Sequence, residues 1–281
     1  MKNNPLISVV IPLYNKEKTI EQSLNSVLLQ KGCEFEVVVV DDGSTDNSVE
    51  QVKKINNSKI KLVSQPNGGP GAARNTGAQT ANGDWLVFLD ADDELLPDAL
   101  KGFADAILAH PDVDIFDANK YILVGSNKTL AYHPLKGYVK NPLKECFFNR
   151  ILPGNGSSAF RRNFFLEHPY NATIRRFEDA ELLIRQLSCA KVYSLSFPTL
   201  LFNRNFAEAS HPRKNVMEDY FAYLDFSKGG FWRKMCVYRT FLEERELYPE
   251  YGHQHYAKMY KRYDWLLVYK VLNWFGKYIN K

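Results

Sequence analysis

From Phe35 to Val40 the chain carries an almost unbroken apolar run, Phe35-Glu36-Val37-Val38-Val39-Val40, which gives way abruptly to Asp41-Asp42-Gly43-Ser44-Thr45-Asp46. Four consecutive valines suit a strand covered on both faces, as parallel strands between helices are. A turn rich in helix-capping groups suits the exit from that strand into a helix. The same pattern recurs. Leu6 to Pro12 and Trp85 to Leu89 predict two further buried strands, and the second of these ends in Asp90-Ala91-Asp92-Asp93. Lys59 to Val63 reads as a short strand.

Helical signals lie between the strands. Ile20, Leu24, Val27 and Leu28 recur on one face, behind Thr19 and Gln22 at capping-box spacing. Val49, Val52 and Ile55 mark a second helix. Gly68-Gly69-Pro70-Gly71 breaks the chain before a small-residue helix from Ala72 to Ala81, and Leu100, Phe103, Ala104, Ile107 and Leu108 line a fourth. This βαβα order predicts an α/β fold: a mostly parallel, Rossmann-like sheet flanked by helices, with right-handed crossovers.

Beyond Asp112 the rhythm loosens. Strands are expected near Ile115, over Tyr121 to Val124 and over Val192 to Leu195. A polar stretch runs from Gly125 to Pro142, Pro153-Gly154-Asn155-Gly156 is a loop, and a helix starts near Phe177-Glu178-Asp179. From about Asn215 the composition turns to aromatic and basic helix. With 281 residues, 45% apolar and 24% charged, the chain can build a normal core, which excludes wholesale disorder. A net charge of +4 suits acidic ligands or an anionic surface and does not by itself argue for nucleic acid.

Cys33, Cys146, Cys189 and Cys236 form no CxxC pair, so neither a zinc ribbon nor a redox motif is indicated. Four buried free thiols in a reducing, cytoplasmic compartment are the expectation. Leu6 to Leu13 lacks the pattern of a signal peptide, and no run of about 18 apolar residues predicts a membrane span.

In open α/β sheets, ligands bind outside the carboxyl ends of the strands. Here one such end carries Asp41 and Asp42, and another carries Asp90, Asp92 and Asp93. A dense carboxylate cluster repels itself unless a cation neutralises it, and hard oxygen ligands favour magnesium or manganese. Acids at such turns also act as caps or solvated turn residues, which is the simpler role for Asp46 and Asp93. A dinucleotide fingerprint belongs directly after the first strand, where Leu13-Tyr14-Asn15-Lys16-Glu17 contains no glycine, and GxxxxGK[ST] is absent. Redox and P-loop chemistry therefore drop out.

Taken together, Ile11-Pro12-Leu13-Tyr14-Asn15, Val40-Asp41-Asp42-Gly43-Ser44-Thr45-Asp46, Gly71-Ala72-Ala73-Arg74-Asn75-Thr76-Gly77 and Asp90-Ala91-Asp92-Asp93 resemble the family 2 glycosyltransferases of the GT-A fold. Each motif alone is weak; all four, in order, over about 110 residues, are specific. Phe177-Glu178-Asp179 resembles the family's Glu-Asp motif and extends the likeness to about residue 205.

The resemblance implies an inverting hexosyl- or N-acetylhexosaminyltransferase. It would act on a nucleoside-diphosphate sugar, often a UDP-sugar, and on a glycan or lipid-linked acceptor, in bacterial surface polysaccharide synthesis. Pro12, Tyr14, Asp41 and Asp42 match positions that hold the nucleobase and ribose. Arg74 matches an arginine near the nucleotide, although by itself it also reads as a surface helix residue. Asp90 would face the ribose and metal, and Asp92 would bind the Mn2+ or Mg2+ that bridges the phosphates. Asp179 matches the general base, although Glu178 and Asp179 would also suit a helix N-terminus. Arg204 and His211 are candidates for phosphate contacts.

The division expected is a GT-A catalytic domain over 1–214, with a nucleotide-sugar half over about 1–112 and an acceptor half over about 113–214, followed by a helical extension over 215–281. A nucleotidyltransferase, which would need a glycine-rich basic loop after the first strand, and a non-catalytic sugar-nucleotide binder are the alternatives.

Tyr256, Met259, Tyr260, Tyr263, Leu266, Leu267, Val271, Trp274, Phe275 and Tyr278 recur at steps of three and four, with Lys258, Lys261, Arg262, Lys270 and Lys277 among them. A long amphipathic helix is predicted. It fits either packing on the catalytic domain or on a second copy in a homodimer, or a peripheral contact with the cytoplasmic face of a membrane. No nucleic-acid partner is expected.

Overall fold

The computed structural model describes residues 4–132, 135–206 and 215–279. Its strands are β1 (Leu6–Leu13), β2 (Glu34–Asp41), β3 (Ile60–Ser64), β4 (Trp85–Phe88), β5 (Glu94–Leu95), β6 (Ile115–Val124), β7 (Asn127–Leu130), β8 (Gly137–Tyr138), β9 (Ser158–Arg161) and β10 (Val192–Asn203). The helices are α1 (Ile20–Leu28), α2 (Ser48–Ile55), α3 (Pro70–Thr80), α4 (Ala99–Ala109), α5 (Pro142–Phe147), α6 (Arg162–Glu167), α7 (Glu178–Gln186), α8 (Phe231–Glu244), α9 (Pro249–His255), α10 (Ala257–Tyr260) and α11 (Tyr263–Ile279).

The strands form one sheet in the order β3-β2-β1-β4-β9-β6-β10-β5, with β7 on β6 and β8 on β10. The first four strands in this order are mutually parallel. β9 is inserted antiparallel between β4 and β6, and β10 continues parallel to β6. Alternation along β1 and β2 explains the valine run. Val9, Ile11, Val37 and Val39 enter one core with Ile20 and Leu24 of α1, Val52 of α2 and Phe103 of α4. Val10, Val38 and Val40 enter the other, with Ala73 and Ala78 of α3, Phe165 of α6 and Leu182 of α7. Side chains alternate across a strand, so a sheet covered on both faces is apolar at most positions, and the buried Ser8 hydroxyl is satisfied by Glu36.

A third core joins Phe147 and Phe148 to Ile174, Ile184, Phe221 and the buried face of α8. Arg176 reinforces it, lying 3.4 Å from Asp219 and 3.5 Å from Glu244, both buried.

Four local expectations change. Thr19 does not cap α1: its backbone is not extended, its buried hydroxyl has no hydrogen-bond partner among the described residues, and Gln22 instead donates to Glu94 at 2.6 Å. The two strands expected near Ile115 and Tyr121 are one, β6, and β10 runs on past Pro198 through a register irregularity, as a residue without an N–H requires. Cys189 is exposed, in the turn after α7. The C-terminal helix is broken: Tyr256 and Tyr260 turn inward onto Phe221 and Phe241, and α11 starts afresh at Tyr263.

Candidate active site

The carboxyl ends of β1 and β2 are stitched together by their turns. Asn15, in the left-handed region at φ 52°, accepts from the Thr45 N–H at 2.8 Å, while Asp42 N–H donates to Leu13 O at 2.8 Å. Asp41 Oδ1 accepts from Ser44 N–H at 2.9 Å. Asp42 is buried and fully engaged. Oδ1 accepts from Gln65 Nε2 at 2.7 Å and Gly68 N–H at 2.8 Å, and Oδ2 accepts from Gly69 N–H at 2.8 Å. Of the aspartate pair, Asp42 thus holds the glycine-rich loop that precedes α3. Pro12 is half-buried and Tyr14 is exposed beside them.

α3 carries Arg74 to the end of β4. The helix lies so close to β1 that a Cβ on Gly77 would overlap Val10 Cγ1. Arg74 is only 4% exposed. Nη2 donates to Asp90 Oδ1 at 2.8 Å, Nη1 donates to Glu178 Oε1 at 3.1 Å, and the Tyr170 ring lies 5.3 Å from the guanidinium carbon. The loop before β9 closes over the same strand end. Gly156, at φ 67°, donates to Phe88 O, which brings Asn155 Nδ2 to 3.1 Å from both Asp90 oxygens.

On the opposite wall α7 begins at Glu178. The residue before it, Phe177, holds φ 55°, a costly conformation for a bulky side chain. Stacking of Arg176 on its ring at 4.9 Å and burial in the third core hold it there. Such strain clusters where a side chain must be aimed.

Between these walls lies a cleft of about 330 Å³, lined by Arg74, Asp90, Asp93, Lys120, Asn155, Tyr170, Glu178 and Asp179 among others. Pro12, Tyr14, Asp41, Asp42 and Asp92 do not line it; the turn after β1 reaches the β4 end through Lys16, 3.1 Å from Asp92. Asp179 is exposed to the cleft, with Oδ1 accepting from the N–H of Ala180 at 2.8 Å. Arg204 is exposed and lies 5.9 Å from the ring of Phe202, a lining residue. His211 lies outside the described residues.

The electrostatics are strained in one direction. Burial pushes Glu178 up to about 7 against the pull of Arg74, with the Asp179 charge adding to the rise. Burial, followed by repulsion from Asp90, pushes Asp93 up to about 8. Asp92 is also raised by burial, partly offset by Lys16 at 3.1 Å. These carboxylates favour a cation beside them. The described residues contain no group of three or more side chains poised to hold a metal ion. Asp90 is already held by Arg74 and Asn155, and Asp92 by Lys16, so a cation placed here would have to complete its shell with phosphate oxygens and water, as magnesium commonly does.

Lys16, Lys120, Asn155 and Tyr170 were not legible as site residues. Lys16 adjoins the first motif, and the glycines around Asn155 mark a tight loop; neither signal says what the side chain reaches.

A mostly parallel α/β sheet with acidic turns at its carboxyl edge and a second carboxylate wall is the layout of a GT-A fold. The family profile described as Glycosyl transferase family 2 matches residues 8–181, more than half of the chain, and the protein belongs to that family. The chain is 43% identical over 102 residues to an uncharacterized glycosyltransferase of Haemophilus influenzae, spanning 35% of this chain and 41% of that protein. It is 42% identical over 108 residues to the poly(ribitol-phosphate) beta-N-acetylglucosaminyltransferase TarS of Staphylococcus aureus, spanning 37% of this chain and 19% of that one. This chain thus spans less than half the length of these curated relatives. The structure of S. aureus TarS 1–349 in complex with UDP-GlcNAc superposes with a TM-score of 0.70 at 22% identity, over 88% of this chain and 74% of that one, which establishes the shared fold.

Proposed function

We propose that this protein is an inverting glycosyltransferase. It moves a hexosyl or N-acetylhexosaminyl group from a UDP-sugar to a hydroxyl of a glycan or lipid-linked acceptor, at the cytoplasmic face of a membrane, in surface polysaccharide synthesis. The observation that carries the reading is the double engagement of Arg74, which ties the Asp90 turn on one wall to the start of α7 on the other. TarS, with which the fold is shared, was captured with UDP-GlcNAc.

In this reading the half over about 1–112 binds donor and the half over about 113–214 binds acceptor. Pro12, Tyr14 and Asp41 hold the base and ribose, and Asp42 keeps the glycine-rich loop in place. Asp90 and Asp92 would hold a divalent Mn2+ or Mg2+ ion, which when bound supplies positive charge against the departing diphosphate. Arg74 and Asn155 fix the Asp90 carboxylate, and Arg204 and His211, the latter outside the described residues, supply phosphate contacts. Asp179 accepts the proton of the acceptor hydroxyl, whose oxygen forms a bond to the anomeric carbon as the bond to the nucleoside diphosphate breaks on the opposite face. One displacement without a covalent enzyme intermediate inverts the centre.

The test is a screen of nucleotide sugars for thermal stabilisation, with and without manganese, followed by a hydrolysis assay on the best ligand. A ligand at 100 times its dissociation constant adds about 2.7 kcal/mol. Stabilisation by no UDP-sugar under either condition would reject the reading.

A further inference from the structure

The final helix presents two different faces. Trp265, Tyr269 and Leu272 of α11 are half-buried against the third core, and Gly276 is buried so close to Phe148 that a Cβ there would press on the ring. The helix is therefore seated on the protein and its rotation is fixed. Its opposite face is apolar and open to solvent: Tyr263 is 77% exposed, Leu267 64%, Val271 45% and Trp274 54%, at steps of four, four and three. Phe275 is about half exposed and widens the stripe. Lys270 and Lys277, seven residues apart, line one border of this stripe, and both are exposed.

We infer that this outward face of α11 docks on an anionic lipid surface. An aromatic and aliphatic stripe edged by lysines is what an interfacial helix buries at the headgroup boundary. Tryptophan suits that depth through its apolar ring and its N–H. The charges select the occupant. Residues 251–281 carry six Lys and Arg and one acid, Asp264, which Arg262 already holds at 2.7 Å. A two-fold contact between copies would set Lys270 and Lys277 against the same basic helix with no acid to meet them. Lipid phosphates supply the missing charge. No described helix is long and apolar enough to cross a membrane, so the contact is peripheral.

This deepens the placement at a membrane face proposed above. Vesicle binding needs neither donor nor turnover, so its failure and the failure of the transferase reading are separate results.

The test is flotation of the full chain with phosphatidylcholine vesicles, with and without 40% phosphatidylglycerol. Binding is expected only with the anionic lipid, weakening with salt. The pair Lys270→Gln and Lys277→Gln should weaken it roughly 25-fold, since each lysine contributes about fivefold near such a surface. Leu267→Gln with Trp274→Gln should weaken it by about tenfold or more, because the buried apolar area is lost. As a measurement on the unaltered fold, brominated lipid should quench the intact protein more than Trp274→Phe. Absence of binding to anionic vesicles, unchanged binding of both double variants, or a dimer that Leu267→Gln with Trp274→Gln dissolves while no vesicle is bound would each overturn the inference.

Discussion

Arg74 and Glu178 stand 104 positions apart in the chain and meet at 3.1 Å. The same guanidinium reaches Asp90 at 2.8 Å, so one buried cation joins the turn after β4 to the start of α7. The carboxyl of Glu178 is thereby committed to Arg74, whereas its neighbour Asp179, which lines the same cleft, is exposed.

Removing that cation should therefore damage fold and site together. Arg74→Met leaves Glu178 and Asp90 facing each other without compensation, and breaking a buried ion pair from one side costs about 3–5 kcal/mol. Urea denaturation should show that loss, and Arg74→Lys should recover only part of it, because an ammonium cannot present two forked donors. Wild-type stability in Arg74→Met would mean the pair is solvated and the bridge unimportant.

Asp179→Asn keeps shape and removes the basic lone pair. Turnover should fall by about 10²–10⁴ with donor affinity nearly unchanged. Glu178→Gln should hurt less in kcat and more in stability, since Glu178 engages Arg74. Retention of more than about a tenth of wild-type turnover by Asp179→Asn would remove it as the base.

Chelation should separate metal from scaffold. Excess EDTA, or Asp92→Ala, should abolish transfer while circular dichroism and the melting temperature stay close to wild type, because Asp92 is partly exposed and contributes no apolar side chain to the core. Full transfer in EDTA would rule out a metal on Asp90 and Asp92.

Asp117 offers a pH test away from the cleft. It is fully buried, its Oδ2 accepts from Tyr132 Oη at 3.1 Å, and its Oδ1 has no partner among the described residues. Burial pushes it up to about 8. The folded state then keeps a proton that the unfolded state releases near pH 4, so this contribution is complete below about pH 4 and is lost as pH rises towards 8. Asp117→Asn should flatten the fall in stability between pH 5 and 8. An identical slope in the variant would show that Asp117 is ionised in the fold.

Periodicity made β1 to β4 and α1 to α4 legible, because a sheet buried on both faces leaves little polar freedom along β1, β2 or β4, whereas the two-residue β5 carried no such signal. The same logic weakens after Asp112. β9 is only four residues long and reverses direction between β4 and β6, and nothing in Ser158-Ala159-Phe160-Arg161 announces that place. The site divides likewise. Acids at strand ends advertise themselves by position, whereas Asn155 and Lys120 matter through what they reach, and reach is a property of the folded chain.

The sequence by itself determined the sheet-and-helix alternation, the acidic carboxyl edge and the family, since these rest on local spacing and residue type. Tertiary structure alone decided that Arg74 is a buried bridge rather than a surface residue, and that Asp42 serves the glycine-rich loop. It also decided that α11 packs one face and exposes the other. Each of these depends on which distant groups are close enough to compensate a charge or exclude water, and spacing along a chain does not encode that.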